Sequence, residues 1–214
     1  MMPEIPLVLK LRRKNHKKIA EAQDIVVKEL YWVFNNAVLH GGTALWRCYG
    51  GNRFSEDVDI YIPEDTKKIN LLFENFKKAG FEIEKKKIGK NSIYSSLVFN
   101  ETRVRLEALF KKIKGSLKEY LTSNGNFIAC YTLTPEELLI EKVDTYLKRL
   151  KIRDLYDIFF LLRHVKINDN IKKSLENLIK NFKKPVDEPD LQIIIIEGIV
   201  PSVESMLNRI KQEV

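Results

Sequence analysis

Residues 57–62 read Asp-Val-Asp-Ile-Tyr-Ile, a strict polar and apolar alternation stopped by Pro63. Successive side chains on a strand point to opposite faces. Val58, Ile60 and Ile62 therefore share one face, and Asp57, Asp59 and Tyr61 share the other. Two like charges on one strand face repel each other, and aspartate is a poor strand former. Any fold of this chain has to accommodate that acidic pair.

The periods around this strand change in an ordered way. Ile19, Ala22, Val26, Leu30 and Val33 recur at three- and four-residue intervals, which predicts a helix over 14–36. Ala37 to His40 is a short apolar run ending at Gly41-Gly42, as for a buried strand leaving a sheet, and Thr43 to Tyr49 reads as a short helix closed by Gly50-Gly51. Downstream, Ile69, Leu72, Phe73 and Phe76 define a helix from about Thr66 to Lys78, ended by Gly80. Strand-like runs follow at 81–88, 93–99 and 103–110, with Phe127 to Leu133 as a fourth candidate. From Thr134 the period is helical. Thr134 is an N-cap, Pro135 takes the first helical position, and Glu137 completes a capping box. Helices are predicted over 135–149, 153–164, 168–183 and 190–213, the last interrupted by Gly198 and Pro201. The expected architecture is α+β: a mixed α/β part over 1–132 and a helical part over 133–214.

Composition narrows the class. With 44% hydrophobic and 31% charged residues, 9 Gly and 7 Pro in 214 positions, the chain is globular, neither collagen-like nor disordered. A formal net charge of +8 favours polyanionic partners. Lysines and arginines crowd residues 12–18, 85–90 and 111–118, a pattern that suits either RNA phosphates or plain solubility. Cys48 and Cys130, 82 positions apart and outside any CxxC pair, are expected to be reduced, packed thiols. No run approaches the roughly 20 apolar residues of a membrane span, so no membrane partner is expected and the working location is the cytoplasm. His16, His40 and His164 are too few and too scattered for a histidine metal cluster, and structural roles are expected for all three. There is no GxxxxGK[ST], HExxH, GxSxG or GxGxxG motif.

Two pieces remain that carry chemistry. Gly41-Gly42-Thr43 joins a strand to a helix, where glycines admit an anion close to the backbone and free N–H groups point toward it. Asp57 and Asp59 project from one strand face and can bind Mg²⁺ as hard oxygen ligands. A cation between them explains their proximity. A phosphate seat beside a metal-binding pair meets the needs of metal-assisted phosphoryl transfer.

Gly41-Gly42-Thr43-Ala44-Leu45 followed by Arg53-Phe54-Ser55-Glu56-Asp57-Val58-Asp59 resembles the AbiEii/AbiGii toxin family, nucleotidyltransferases of the DNA polymerase β-type fold. Lys142 followed by Arg153-Asp154-Leu155-Tyr156-Asp157 resembles that family's second signature. The resemblance spans most of 37–160 and implies the following roles. Gly41, Gly42 and Thr43 would lie along the triphosphate of an NTP with Ser55 beside it. Asp57 and Asp59 would hold Mg²⁺ or Mn²⁺. Lys142 would reach the phosphates from the helical part, and Asp157 would complete the site.

Arg53 is either a phosphate contact or a clamp on Asp57. The third carboxylate usual for the polymerase β pattern has one well-placed candidate, Glu107, which either ligates the metal or pairs with Arg103 or Arg105 on its own face. Asp154 is either part of the site or one end of an ion pair. The implied reaction transfers a nucleoside monophosphate to an acceptor hydroxyl. From the resemblance, that acceptor is expected to be the 3′ end of tRNA, and the chain the toxin partner of a separate antitoxin. Two alternatives stay open: a protein side-chain hydroxyl as acceptor, and a non-catalytic RNA-binding module of the same fold.

Overall fold

The computed structural model describes residues 6–214, and the chain divides into two compact units, Met1–Thr132 and Leu133–Val214. In the first unit two helices lead, α1 (Leu7–Lys10) and α2 (Lys14–Val33), and β1 (Val38–His40) runs directly into α3 (Gly41–Cys48). Then come β2 (Asp57–Ile62), α4 (Thr66–Lys78), β3 (Glu82–Ile88), β4 (Ser92–Phe99), β5 (Thr102–Phe110), β6 (Ser116–Leu121) and β7 (Phe127–Thr132). The seven strands form one mixed sheet in the order β3-β4-β5-β2-β1-β7-β6. β2 pairs parallel with β5 and β1 parallel with β7, while β1 and β2 are antiparallel.

The alternation of residues 57–62 has the predicted result. Val58, Ile60 and Ile62 are fully buried, with Val104, Leu106 and Ala108 buried beside them on β5. α4 starts at Asp65, whose carboxylate accepts from the Lys68 N–H (3.0 Å), and it buries Ile69, Leu72, Phe73 and Phe76. It packs against α2 and β3. The opposite sheet face carries the acidic pair.

β6 was not expected from the sequence. Lysines and a glycine precede it, and its burial is uneven because it lies at the sheet edge, paired only with β7. α3 starts two residues earlier than expected, so the Gly-Gly pair forms its first turn.

The second unit holds α5 (Pro135–Arg149), α6 (Ile152–Leu161), α7 (Asp169–Lys180), a single 3₁₀ turn at Glu188–Asp190, α8 (Leu191–Ile194) and α9 (Val203–Lys211). Thr134 and Glu137 form the expected capping box, with Thr134 N–H donating to the Glu137 carboxylate (2.8 Å). The 190–213 stretch is two helices. Gly198, at φ 90°, and Pro201 fall in the connection between them, where a helix has no conformational room. α5 packs on α6 and α7, and α9 on α6 and α7. Among the described residues no helix is long and apolar enough to cross a membrane.

Candidate active site

Strand register places the acidic pair within two rows of side chains. Pairing aligns His40, Asp59, Glu107, Tyr94 and Lys87 across five strands, and Asp57, Arg105, Ser96 and Lys85 across four. Directly opposed residues share a sheet face, so Asp57, Asp59 and Glu107 lie on one face. Glu107 is thus the cross-strand neighbour of Asp59, as a third carboxylate from a neighbouring strand requires. The arginines on its strand have other partners. Arg103 pairs with Glu84 (Nε–Oε2 2.8 Å), and Arg105 grips Asp57 with both arms, Nε to Oδ1 at 2.6 Å and Nη2 to Oδ2 at 3.0 Å.

The glycine turn presses against this row. Gly41 sits at φ 67°, and a Cβ there would collide with the Asp59 carboxylate. A Cβ on Gly42 would stand 2.5 Å from Arg53 Nη2 and 2.6 Å from Ser55 Oγ. Glycine at both positions thus clears a seat between the start of α3, an acid, a guanidinium and a hydroxyl. The first N–H groups of a helix have no carbonyl partner within it, and they favour an anion there.

The surroundings hold this turn still. The buried Thr43 hydroxyl donates to the Asp57 carbonyl, tying α3 to the start of β2. Arg53 is only 4% exposed and donates to the Phe54 carbonyl (3.1 Å). Gln23 on α2 donates to the Ser55 carbonyl (2.9 Å). Neither Gln23 nor Arg105 stood out in the sequence as a site residue. Arg105 becomes Asp57's neighbour only through the parallel β2–β5 register, a long-range pairing that no local period reports.

The three histidines each lie against a ring. His16 stacks on Phe54 (3.9 Å between centroids), His40 on Tyr61 (4.0 Å), and His164 lies 4.8 Å from Phe160. Burial, helped by Arg13, lowers the His16 pKa. Burial opposes the charge on Arg105, but Asp57 and Tyr94 hold its pKa above the ordinary value. Cys48 and Cys130 are free thiols with sulfurs 3.7 Å apart.

The helical unit contains its own charged group. The Lys142 ammonium lies 2.9 Å from Asp157 and 3.4 Å from Asp154, all three side chains nearly excluded from water. Arg149 at the end of α5 grips Asp154 through two bonds of 2.7 and 2.8 Å. Asp154 is thus one end of an ion pair, and the helix-spaced Asp154 and Asp157 both face α5. Lys142 is committed to these carboxylates within its own unit.

Three carboxylates of hard oxygen character on one sheet face, two of them in register, fit a divalent cation by donor type. In this conformation Arg105 occupies Asp57. Among the described residues no group of three His, Cys, Asp or Glu side chains is gathered closely enough to hold a metal.

Against this geometry the comparisons with known proteins are decisive for family. The profile described as "Nucleotidyl transferase AbiEii toxin, Type IV TA system" matches residues 33–208. The chain belongs to that family. It is a nucleotidyltransferase of the toxin class from type IV toxin–antitoxin systems. No curated protein sequence matches the chain.

Solved structures agree on the fold. MenT4, a nucleotidyltransferase toxin from Mycobacterium tuberculosis H37Rv, is similar with TM-score 0.64 at 18% identity, over 97% of this chain and 85% of that one. JHP933 from Helicobacter pylori is similar with TM-score 0.65 at 20% identity, over 93% and 88%. ANT(2″)-Ia, solved with adenylyl-2″-tobramycin, gives TM-score 0.51 at 10% identity over 78% and 99%. The polymerase β-type nucleotidyltransferase architecture implied by the sequence resemblance is the architecture of this AbiEii-family chain.

Proposed function

We propose that this AbiEii-family enzyme moves a nucleoside monophosphate from an NTP to the 3′-hydroxyl of a tRNA, releasing pyrophosphate. The observation that carries the reading is the contact between the Gly41-Gly42 turn and Asp59. A phosphate seat and a carboxylate face share one boundary, at which a side chain on Gly41 would collide.

In this reading the N–H groups of Gly41, Gly42 and Thr43 bind the triphosphate, and Arg53 and Ser55 hold it from the side. Asp57, Asp59 and Glu107 would hold Mg²⁺ or Mn²⁺, which supplies Lewis-acid charge for the displacement and lowers the acceptor hydroxyl's pKa. The protein's own contribution is positioning and fixed charge. Lys142 and Asp157 keep the roles that the family resemblance implies, Lys142 as a cation for the phosphates and Asp157 as its buried partner. The toxin class supports a separate antitoxin protein as regulatory partner, and the +8 charge supports an RNA acceptor.

The test is incubation with each labelled NTP, Mg²⁺ and total tRNA, beside Asp57→Ala. Label in RNA, lost in the variant, is the expected result. Label in protein instead would move the acceptor to a side-chain hydroxyl. RNA binding without label, equal in both proteins, would reduce the chain to a binding module.

A further inference from the structure

Arg105 joins Asp57 to an open cleft of about 690 Å³ over β3, β4 and β5, and Lys85, Tyr94, Ser96 and Arg103 also line it. The glycine turn lies on the other side of Asp57, at the β1–α3 junction, so the two flanks of the acidic pair differ in kind. At a transferred phosphoryl group, the attacking and leaving oxygens stand roughly in line. If the glycine flank takes the triphosphate, the acceptor enters from the β5 flank, through this cleft.

The cleft as it stands is poorly charged for RNA. Glu56, Asp57, Glu84 and Glu101 oppose Lys85, Arg103 and Arg105, four carboxylates to three cations. Arg103 is spent on Glu84 and Arg105 on Asp57. Both oxygens of Asp57 are engaged, so a divalent cation there competes with the guanidinium for the same lone pairs and repels it at close range. The Arg105 side chain is 40% exposed and has space before it. Tyr94, already a hydrogen-bond partner of Arg105, lines the same cleft, with the Lys85 ammonium 5.0 Å from its ring centre.

We propose that Arg105 exchanges partners during the cycle: it holds Asp57 while the site is empty and turns into the cleft when metal and nucleotide arrive, there meeting a backbone phosphate of the single-stranded RNA acceptor beside Lys85 and Tyr94. The exchange deepens the metal-dependent reading above and rests on it. Its consequence is an order of binding. The empty cleft repels a polyanion, and the divalent cation that arrives with the nucleotide both neutralises Asp57 and frees Arg105 toward the acceptor. Tyr94 offers a face on which a terminal base stacks.

The experiment measures binding rather than turnover. Short single-stranded RNA ending in a 3′-hydroxyl is titrated into the full chain by fluorescence anisotropy, with and without Mn²⁺ and a mixture of the four non-hydrolysable NTP analogues. Manganese affinity is read separately by paramagnetic resonance. The wild type should bind RNA about tenfold more tightly when loaded, the scale of one hydrogen bond to a charged group. Arg105→Gln should bind Mn²⁺ several-fold more tightly and lose the RNA response. Lys85→Ala and Tyr94→Ala should weaken loaded-state RNA binding with Mn²⁺ affinity unchanged, which keeps the test sound should Arg105→Gln fold poorly.

Weaker Mn²⁺ binding in Arg105→Gln would make the arginine a fixed support of Asp57 and overturn the exchange. A wild type that loads nucleotide yet binds RNA equally in both states, or not at all, overturns the exchange and leaves the transferase reading intact. A wild type that takes up no metal–nucleotide overturns both.

Discussion

Gly41 tolerates no side chain, for two separate reasons. Its backbone is left-handed, which costs an L-residue about 1–2 kcal/mol, and its missing Cβ is what lets the Asp59 carboxylate lie against the turn. Gly41→Ala should therefore lose about 100-fold in nucleotidyl transfer, as expected when reacting groups are displaced by an ångström. The loss in stability should exceed the backbone cost, because the new methyl also displaces the Asp59 side chain; a transfer assay and a urea titration on one preparation will check both losses.

His16 makes a second prediction at this scale. Its folded pKa lies below the ordinary 6.5 because burial against Phe54, with Arg13 nearby, penalises the charged ring. Between the lowered value and 6.5 the unfolded chain binds more protons, so stability falls as pH drops through that window and is flat above it. His16→Phe keeps the stacked ring and should remove that part of the acid sensitivity, seen by comparing urea midpoints at pH 5 and pH 8.

Among the elements, α5 combines a legible end with a hidden face. Its capping box was readable in Thr134-Pro135-Glu136-Glu137, and Thr134→Ala should cost about 1 kcal/mol in chemical unfolding. The burial of Lys142 was not readable, because it depends on the α5–α6 packing that brings Asp154 and Asp157 to it. Removing one partner of a buried ion pair strands the others, so Lys142→Ala should destabilise the protein by about 3–5 kcal/mol. Activity of that variant has to be compared at equal folded fraction before a role at the phosphates is assigned.

The same distinction runs through the sheet. Alternation in 57–62 and the apolar stripe of α4 are local periods and survive in the sequence alone. The β2–β5 pairing that sets Glu107 opposite Asp59 and Arg105 opposite Asp57 joins residues 48 positions apart, and edge strand β6 has no period to betray it. The candidate site's glycines and aspartates stand out in the sequence because their chemistry is unusual for their positions. Its clamp was invisible because arginine on the open face of a half-buried strand is ordinary.

At the scale of the molecule, net charge sets how the protein meets RNA. If lysines and arginines contact backbone phosphates, the logarithm of the binding constant should fall linearly with that of salt, with slope about −0.7 per phosphate neutralised on a single strand. A slope near zero would put the lysines to solubility alone. The two sheet edges differ in this respect. β3 presents consecutive Lys85, Lys86 and Lys87, a repulsive border against pairing with a second sheet, whereas β6 exposes Leu117.

One hydrogen-bonded connection in the first unit starts from Arg47, its side chain fully buried near the far end of α3. It donates to the Leu121 and Ala20 carbonyls and to the Gln23 amide oxygen, and Gln23 in turn steadies Ser55 beside the glycine turn. The proposed nucleotide seat therefore has a keystone outside its own walls. Arg47→Met should disable transfer without touching a single atom that meets the nucleotide, and an inhibitor wedged behind α3 would silence this toxin from the rear.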